Sequence, residues 1–258
     1  MHYFAKELQA ARTIARRAGD IAMRYYRGGI AFDNKDDASP VTLADRECEQ
    51  YIVAALASAF PGDGVLGEEG AHCNGGSGRR WIVDPIDGTR DFVRGLPSWT
   101  VLVALEAHGE VVVGVSNMAA FGELFSASRG LGAFVNDAPI EVSGATRVEE
   151  AVLCVNAFFG PDGVADCPFA SGLLEWMKPL WAVRSMGGAL DAMMVARGQA
   201  DLWIETRGKP WDFAAPKIII EEAGGRFFNF DGGSSIYGGN CVMCAPGLEA
   251  EARRFVVR

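Results

Sequence analysis

The apolar residues of this chain change their spacing twice, and the order of the changes constrains the fold more than any other feature. Residues 4 to 27 repeat at helical spacing and stop at Gly28-Gly29, and PVTLADRECEQYIVAALASAF does the same before Pro61-Gly62. From Arg80 the pattern is that of strands: RWIVD (80–84), WTVLVALEA from Trp99, EVVVGVSNM after the turn at His108-Gly109, and GELFSAS after Phe121. Short turns between successive strands predict an antiparallel meander. From Ala151 strands and helices alternate: AVLCVN, helix GLLEWMK, WAVRS, helix GALDAMMVARG, ADLWIE, helix WDFAAPKIIIEEAGG, GRFFNF, NCVMCA and a terminal helix. The expectation is an α/β fold of the layered α+β kind, with helices covering sheets. VSGATRVEE reads as the linker between approximate halves 1–145 and 146–258 of one expected domain, and CNGGSGRR as a flexible surface loop.

The chain is long enough to bury a large core, with 258 residues, 49% of them hydrophobic and 22% charged. No apolar run approaches the roughly 18 residues of a membrane span, and the charged amphipathic N-terminus lacks the apolar region of a signal peptide, so a cytoplasmic protein without membrane contact is expected. A formal net charge of −9 argues against a nucleic-acid partner. Six scattered cysteines do not make a disulfide framework; Cys241 and Cys244 form a C-x-x-C on an apolar strand without a second pair, which favours buried thiols over zinc or redox chemistry.

The chemistry concentrates in WIVDPIDGTRDF (81–92), where an apolar strand ends in Asp84 and Asp87, three apart, followed by Gly88 and Thr89. Gly88-Thr89 can open a helix whose free amides face an anion, beside carboxylates that suit a hard cation. Such a cation needs further oxygen ligands. LGEEG offers Glu68 and Glu69, and PWDFAA offers Asp212 in a helix's first turn. Each has a plainer local explanation: acids in Gly-rich loops are mostly solvated, and a first-turn Asp is favoured by the helix dipole alone.

Taken in order, SPVTLADRECE, LGEEG, WIVDPIDGTRDF and KPWDFAAPKIIIEEAGG resemble the inositol monophosphatase superfamily over nearly the whole chain. The resemblance implies an αβαβα sandwich like that of inositol monophosphatases and fructose bisphosphatases. It implies a homodimeric, lithium-sensitive phosphatase of small phosphorylated metabolites, with two or three Mg²⁺ per site (Mn²⁺ as a substitute) and no phosphoenzyme. Glu68, Asp84, Asp87 and Asp212 would be metal ligands, with Ile86 contributing its backbone carbonyl. Gly88 and Thr89 would cradle the phosphate, Thr89 with Asp45 would polarise the attacking water, and Glu69 would hold a second water. Asp45 also has a local reading, since Thr42-x-x-Asp45 is a capping-box spacing. Lys35, upstream of DASPVT, would lie near the site by the same resemblance, with a solvated surface lysine as the equal alternative.

Arg90-Asp91 departs from the uncharged pair followed by Asn of many relatives and alters the rim alone. Glu205, seven residues before Asp212, matches the spacing at which inositol phosphatases place a carboxylate on substrate hydroxyls, with Gly187 and Gly188 beside the substrate. RSMGGALDAMMVARG and YGGN are nearer in length and form to the histidinol-phosphate phosphatase branch, yet Gly188 stands where that branch tends to carry an acid. Adenosine 3′,5′-bisphosphate and fructose 1,6-bisphosphate are weaker candidates. A haloacid-dehalogenase-type phosphatase is excluded by Pro85 at its nucleophile's place, and a Ser-His or Cys-His hydrolase by the poor contexts of His2, His72 and His108. A non-catalytic metal- or phosphate-binding protein would be marked by a lost ligand, and all are present.

Overall fold

A computed structural model describes residues 4–28, 32–34, 40–158, 160 and 162–257. Helix α1 (Ala5–Gly28) ends at its glycine, and α2 (Leu43–Ala59) begins three residues later than its apolar pattern suggests. Those three residues form strand β2 (Pro40–Thr42), paired antiparallel with β1 (Phe32–Asn34). The helix starts late because Thr42 caps it: its hydroxyl accepts the Ala44 and Asp45 amides while the Asp45 carboxylate accepts the Thr42 amide.

The larger sheet contains β3 (Gly64–Gly67), β4 (His72–Cys73), β5 (Arg79–Asp87), β6 (Thr100–Ala107), β7 (Glu110–Met118), β8 (Glu123–Ser128), β9 (Gly132–Val135) and β10 (Ala138–Ile140). A short helix α3 (Thr89–Val93) separates β5 from β6. The spatial order is β10-β9-β8-β7-β6-β5-β3-β4. From β5 to β8 the chain is the antiparallel meander its pattern predicts, β9 and β10 extend it beyond the strands that pattern marks, and β3 joins β5 in parallel. CNGGSGRR is not a loose loop: it starts in β4, ends in β5, and is held by Asp63, which accepts the Ser77 hydroxyl at 2.8 Å and the Arg79 guanidinium at 2.7 Å.

The smaller sheet alternates with helices: β11 (Val152–Val155), α4 (Ala170–Met177), β12 (Ala182–Arg184), α5 (Gly188–Ala196), β13 (Leu202–Glu205), α6 (Pro210–Glu222), β14 (Arg226–Phe228), β15 (Cys241–Cys244) and α7 (Glu249–Val256). Its order is β12-β11-β13-β15-β14, with β11 parallel to both neighbours and β15 antiparallel to its own. The segment 142–150 is tied down rather than free, since the Val142 amide donates to Ala223 and the Ser143 hydroxyl to Asp201.

Three apolar cores stack these elements into an αβαβα sandwich. α1 and α2 cover one face of the large sheet through Ala15, Ile52, Val83, Val101, Val103 and Leu105. α5 and α6 fill the space between sheets, against Ile82, Leu102 and Ala104 on one side and Trp203, Cys241 and Met243 on the other. α4 and α7 cover the outer face of the small sheet against Leu202, Ile204, Val242 and Cys244. Both faces of each sheet are thus buried, which is why VLVAL and CVMC read as continuous apolar runs rather than alternations. Cys241 and Cys244 fall into different cores, so this C-x-x-C cannot grip one ion; burial pushes the Cys244 thiol up to about 12. Of the tryptophans between 176 and 211, Trp203 is in the core while Trp181 is 75% exposed. Among the described residues no helix is long and apolar enough to cross a membrane.

Candidate active site

β5 carries Asp87 to the lining of a cavity and Asp84 to the buried position beside it, and an irregularity in the strand brings the two together. Asp84 pairs with Leu102 and Asp87 with Thr100, so Pro85 and Ile86 together face the single residue Val101. In a regular strand residues three apart point to opposite faces; the extra residue of this bulge brings Asp87 round to the side of Asp84. Proline suits the bulge because it has no amide to offer the ladder. Asp212 arrives from the other side, at the third position of α6, where its carboxylate accepts the Lys209 amide at 2.7 Å. One oxygen each of Asp84, Asp87 and Asp212 lies within 4.8 Å of the others.

Burial and mutual repulsion hold these acids well above their ordinary range. Asp84 is 1% exposed; burial, then the nearby Glu68 and Asp87 carboxylates, push it far up. Burial and then Asp87 do the same to Asp212. Asp87 is pushed to about 6 by burial, against the pull of the Ala189 amide, which donates to it at 3.0 Å. Asp84 Oδ1 is buried with no hydrogen-bond partner among the described residues. An oxygen-only, acid-rich cluster with an orphaned carboxylate oxygen fits a hard divalent cation, whose charge would reverse the sign of these repulsions.

Most of the expected residues converge here. Glu68, Asp87, Gly88, Thr89, Gly187, Gly188, Glu205 and Asp212 line one cavity of about 630 Å³, as do Arg90 and Asp91, whereas Asp84, Ile86 and Asp45 lie outside its lining. Ile86 buries its side chain in the core while its carbonyl accepts the Thr89 hydroxyl at 3.1 Å. Asp45 Oδ2 closes the capping box on Thr42, while Oδ1 faces the Thr89 hydroxyl at 3.4 Å. Burial raises Asp45, against the lowering effect of the Thr42 hydrogen bonds. Glu205, 8% exposed at the end of β13, is pushed to about 7 by burial, opposed by the Arg207 amide. Glu69 does not line the cavity; its amide donates to Glu49 at 2.8 Å. Lys35 and His2 lie outside the described residues, and His72 and His108 are not in the cavity lining.

The turn into α3 depends on Gly88, at φ 84°, where a Cβ would lie 2.7 Å from the Ser98 carbonyl oxygen. Gly88→Ala is expected to cost about 1–3 kcal/mol in a urea titration and to lower phosphate release as α3 shifts.

Two acids escape sequence reasoning. Asp191, on α5, accepts Asn156 Nδ2 at 2.6 Å and the Met186 and Gly187 amides at 3.3 Å, which holds the cavity wall made by Asn156, Ser185 and Met186. Glu49, on α2, holds the turn that carries Glu68 and Glu69. Their signal is a lone charge inside an apolar helix, GALDAMMVA and CEQYIVAAL, because a buried carboxylate requires donors.

A model of the inositol monophosphatase family matches residues 5–256. The chain belongs to the inositol monophosphatase family. It is 38% identical over 93% of its length to a histidinol-phosphatase of Chlorobaculum parvum, 92% of which is covered. It is 36% identical over 92% of its length to an inositol-1-monophosphatase of Mesorhizobium japonicum, 87% of which is covered. The structure superimposes on the IMPase of Thermotoga maritima with a TM-score of 0.87 and 32% identity, covering 97% of this chain and 96% of that one. Inositol monophosphatase family members are phosphoric monoester hydrolases acting on small phosphorylated metabolites, and this chain is an enzyme of that type.

Proposed function

We propose that this enzyme hydrolyses a small phosphorylated polyol of the myo-inositol 1-phosphate kind by direct attack of water. The observation that carries the reading is the convergence of Asp84, Asp87 and Asp212, the last two of which line a cavity that Glu205 lines as well. Mg²⁺, or Mn²⁺ in its place, held by these three acids with Glu68 and the Ile86 carbonyl, would neutralise the phosphate and acidify water. The chain's own residues do the rest. Gly88 and Thr89, at the head of α3, receive the phosphate oxygens through their amides. Asp45 takes the Thr89 hydroxyl proton as Thr89 takes one from the attacking water; burial makes Asp45 a better base than an ordinary aspartate. The water oxygen forms the new bond to phosphorus, the ester bond breaks with its electron pair going to the alcohol oxygen, and that oxygen takes a proton from a solvent water as the alcohol leaves. Glu69 is proposed to hold a second water.

Glu205, once ionised, accepts hydrogen bonds from the leaving group's hydroxyls, beside Gly187 and Gly188. Glu205→Gln is expected to raise KM for the true substrate by about tenfold while sparing phenyl phosphate. An equal KM for every ester in the variant and the wild type would remove Glu205 from the pocket.

A second reading, a histidinol-phosphate substrate, is favoured by one particular contact. Gly188 offers no acid for an amine, yet Asp91, on α3, lines the same cavity, and its Oδ2 lies 2.9 Å from where a Cβ of the neighbouring Gly187 would be, so a carboxylate stands one residue away from the missing one. Mg²⁺-dependent phosphate release with myo-inositol 1-phosphate and L-histidinol phosphate, compared side by side in the wild type and Asp91→Asn, separates the two. A preference for the inositol ester that survives Asp91→Asn supports the polyol, and a preference for histidinol phosphate that the variant loses overturns it. No release from either ester with any divalent cation would overturn the phosphatase reading. The proposed working form is a homodimer, to be read as twice the chain mass in light scattering.

A further inference from the structure

We propose that Glu49 is a positioning residue for the cation site: its buried carboxylate holds the turn between β3 and β4 in the conformation that delivers Glu68 to Asp84. This rests on the reading of Glu68 as part of that site. Asp84 and Asp87 stand on β5 and Asp212 on α6, rigid elements packed on both sides, whereas Glu68 comes from a turn. A loop ligand is placed only as well as its backbone is held.

One side chain grips the turn on both sides. Glu49 is 6% exposed on α2; Oε2 accepts the Glu69 amide at 2.8 Å and Oε1 accepts the Ala71 amide at 3.0 Å. The two bonds straddle the turn, which is closed by the Gly67 amide on the Ala71 carbonyl at 2.7 Å, and Glu68 is pinned to β5 by its own amide on Val83 at 3.2 Å. Bonds from backbone amides to a carboxylate are among the stronger ones, and burial keeps water from competing for them. The fit depends on Gly67: a Cβ there would lie 2.3 Å from Glu49 Oε2 and 2.8 Å from Cδ. Glu49 does not line the cavity, so it acts through the turn rather than on the phosphate. Its signature is a weaker cation site in a protein that still folds.

Two variants attack the contact from opposite sides. Glu49→Gln turns one acceptor into a donor facing an amide, and it also removes a negative charge near the cation. Gly67→Ala keeps every charge and displaces the flexible end of the Glu49 side chain. Metal-free protein is titrated calorimetrically with MnCl₂ alone, and each variant is melted in EDTA to register its fold. Both are expected to raise the Mn²⁺ Kd by about tenfold to a hundredfold while melting cooperatively without metal. Weakened binding in Glu49→Gln with wild-type binding in Gly67→Ala would mean that charge alone acts, and overturns the positioning role. Wild-type binding in both overturns it as well. If Glu49→Gln does not fold, Gly67→Ala decides by itself. A wild type that takes up no Mn²⁺ overturns the cation reading, and this inference with it.

Discussion

Asp87→Asn is expected to lower kcat/KM for phosphate release on the order of a thousandfold, about 4 kcal/mol of transition-state stabilisation, while the metal-free protein melts no lower than the wild type. The two halves of that result have one cause. Asp87 sits in a cluster with Asp84 and Asp212 and is raised to about 6, so at neutral pH its charge is held against the preference of the empty site. Asparagine has nearly the same shape and can still accept the Ala189 amide through its carbonyl oxygen. It removes the repulsion and the proposed anchor of the cation together. A melting temperature a few degrees higher in EDTA, at about 2–4 °C per kcal/mol, should accompany the loss of turnover. Retained turnover would sink the role given to Asp87, and a variant that is inactive because it is unfolded would sink the account of its charge.

The second large effect is the pH dependence of stability without divalent cation. Asp45, Asp84, Asp87, Glu205 and Asp212 all have folded values above their ordinary ones, Asp87 at about 6 and Glu205 at about 7. Raised acids bind more protons in the folded state than in the unfolded chain. Their contribution is therefore fully present below the unfolded values near 4 and is lost as pH rises through the folded ones. In EDTA the protein should lose stability from about pH 4 to about pH 7, on the order of 3 kcal/mol from Glu205 alone at about 1.4 kcal/mol per pK unit. Saturating Mg²⁺ should reverse the slope, because a cation binds the ionised forms and stabilises only the fold that presents them. Below pH 4 a different population takes over: Asp63, lowered on balance because hydrogen bonds from Arg79 and Ser77 outweigh its burial, loses its contribution as it protonates. Melting curves at pH 4.5, 6 and 7.5, with and without Mg²⁺, give the comparison. A flat EDTA series, or one that Mg²⁺ leaves unchanged, would refute the electrostatic account of the site.

The legible and illegible parts of this molecule divide by the range of the interaction that makes them. The helices, the β5–β8 meander and the alternation after Ala151 follow from local periodicity and from glycine and proline stops, whereas β9 and β10 carry no such mark. What local pattern misreads is short and held from elsewhere: β2 precedes α2 because Thr42 caps it, and CNGGSGRR is pinned by Asp63. The parallel pairing of β3 with β5 leaves no local trace, since parallel neighbours need not be adjacent in sequence.

By itself the sequence determined the long helices, the strands β5 to β8, the later alternation of strand and helix, and which acids stand at a strand end and in a helix's first turn, because those depend on spacing along the chain. Only the tertiary structure decided which of them meet. The bulge at Pro85-Ile86 turns Asp87 toward Asp84, α6 brings Asp212 to both, and β13 sets Glu205 across the cavity. It also separated Cys241 from Cys244 into different cores and enlisted Asp191 and Glu49 as holders of the cavity wall and the Glu68 turn. The physical reason is that a buried charge is explained by the groups folding brings around it, and those groups come from positions up to more than a hundred residues away in the chain.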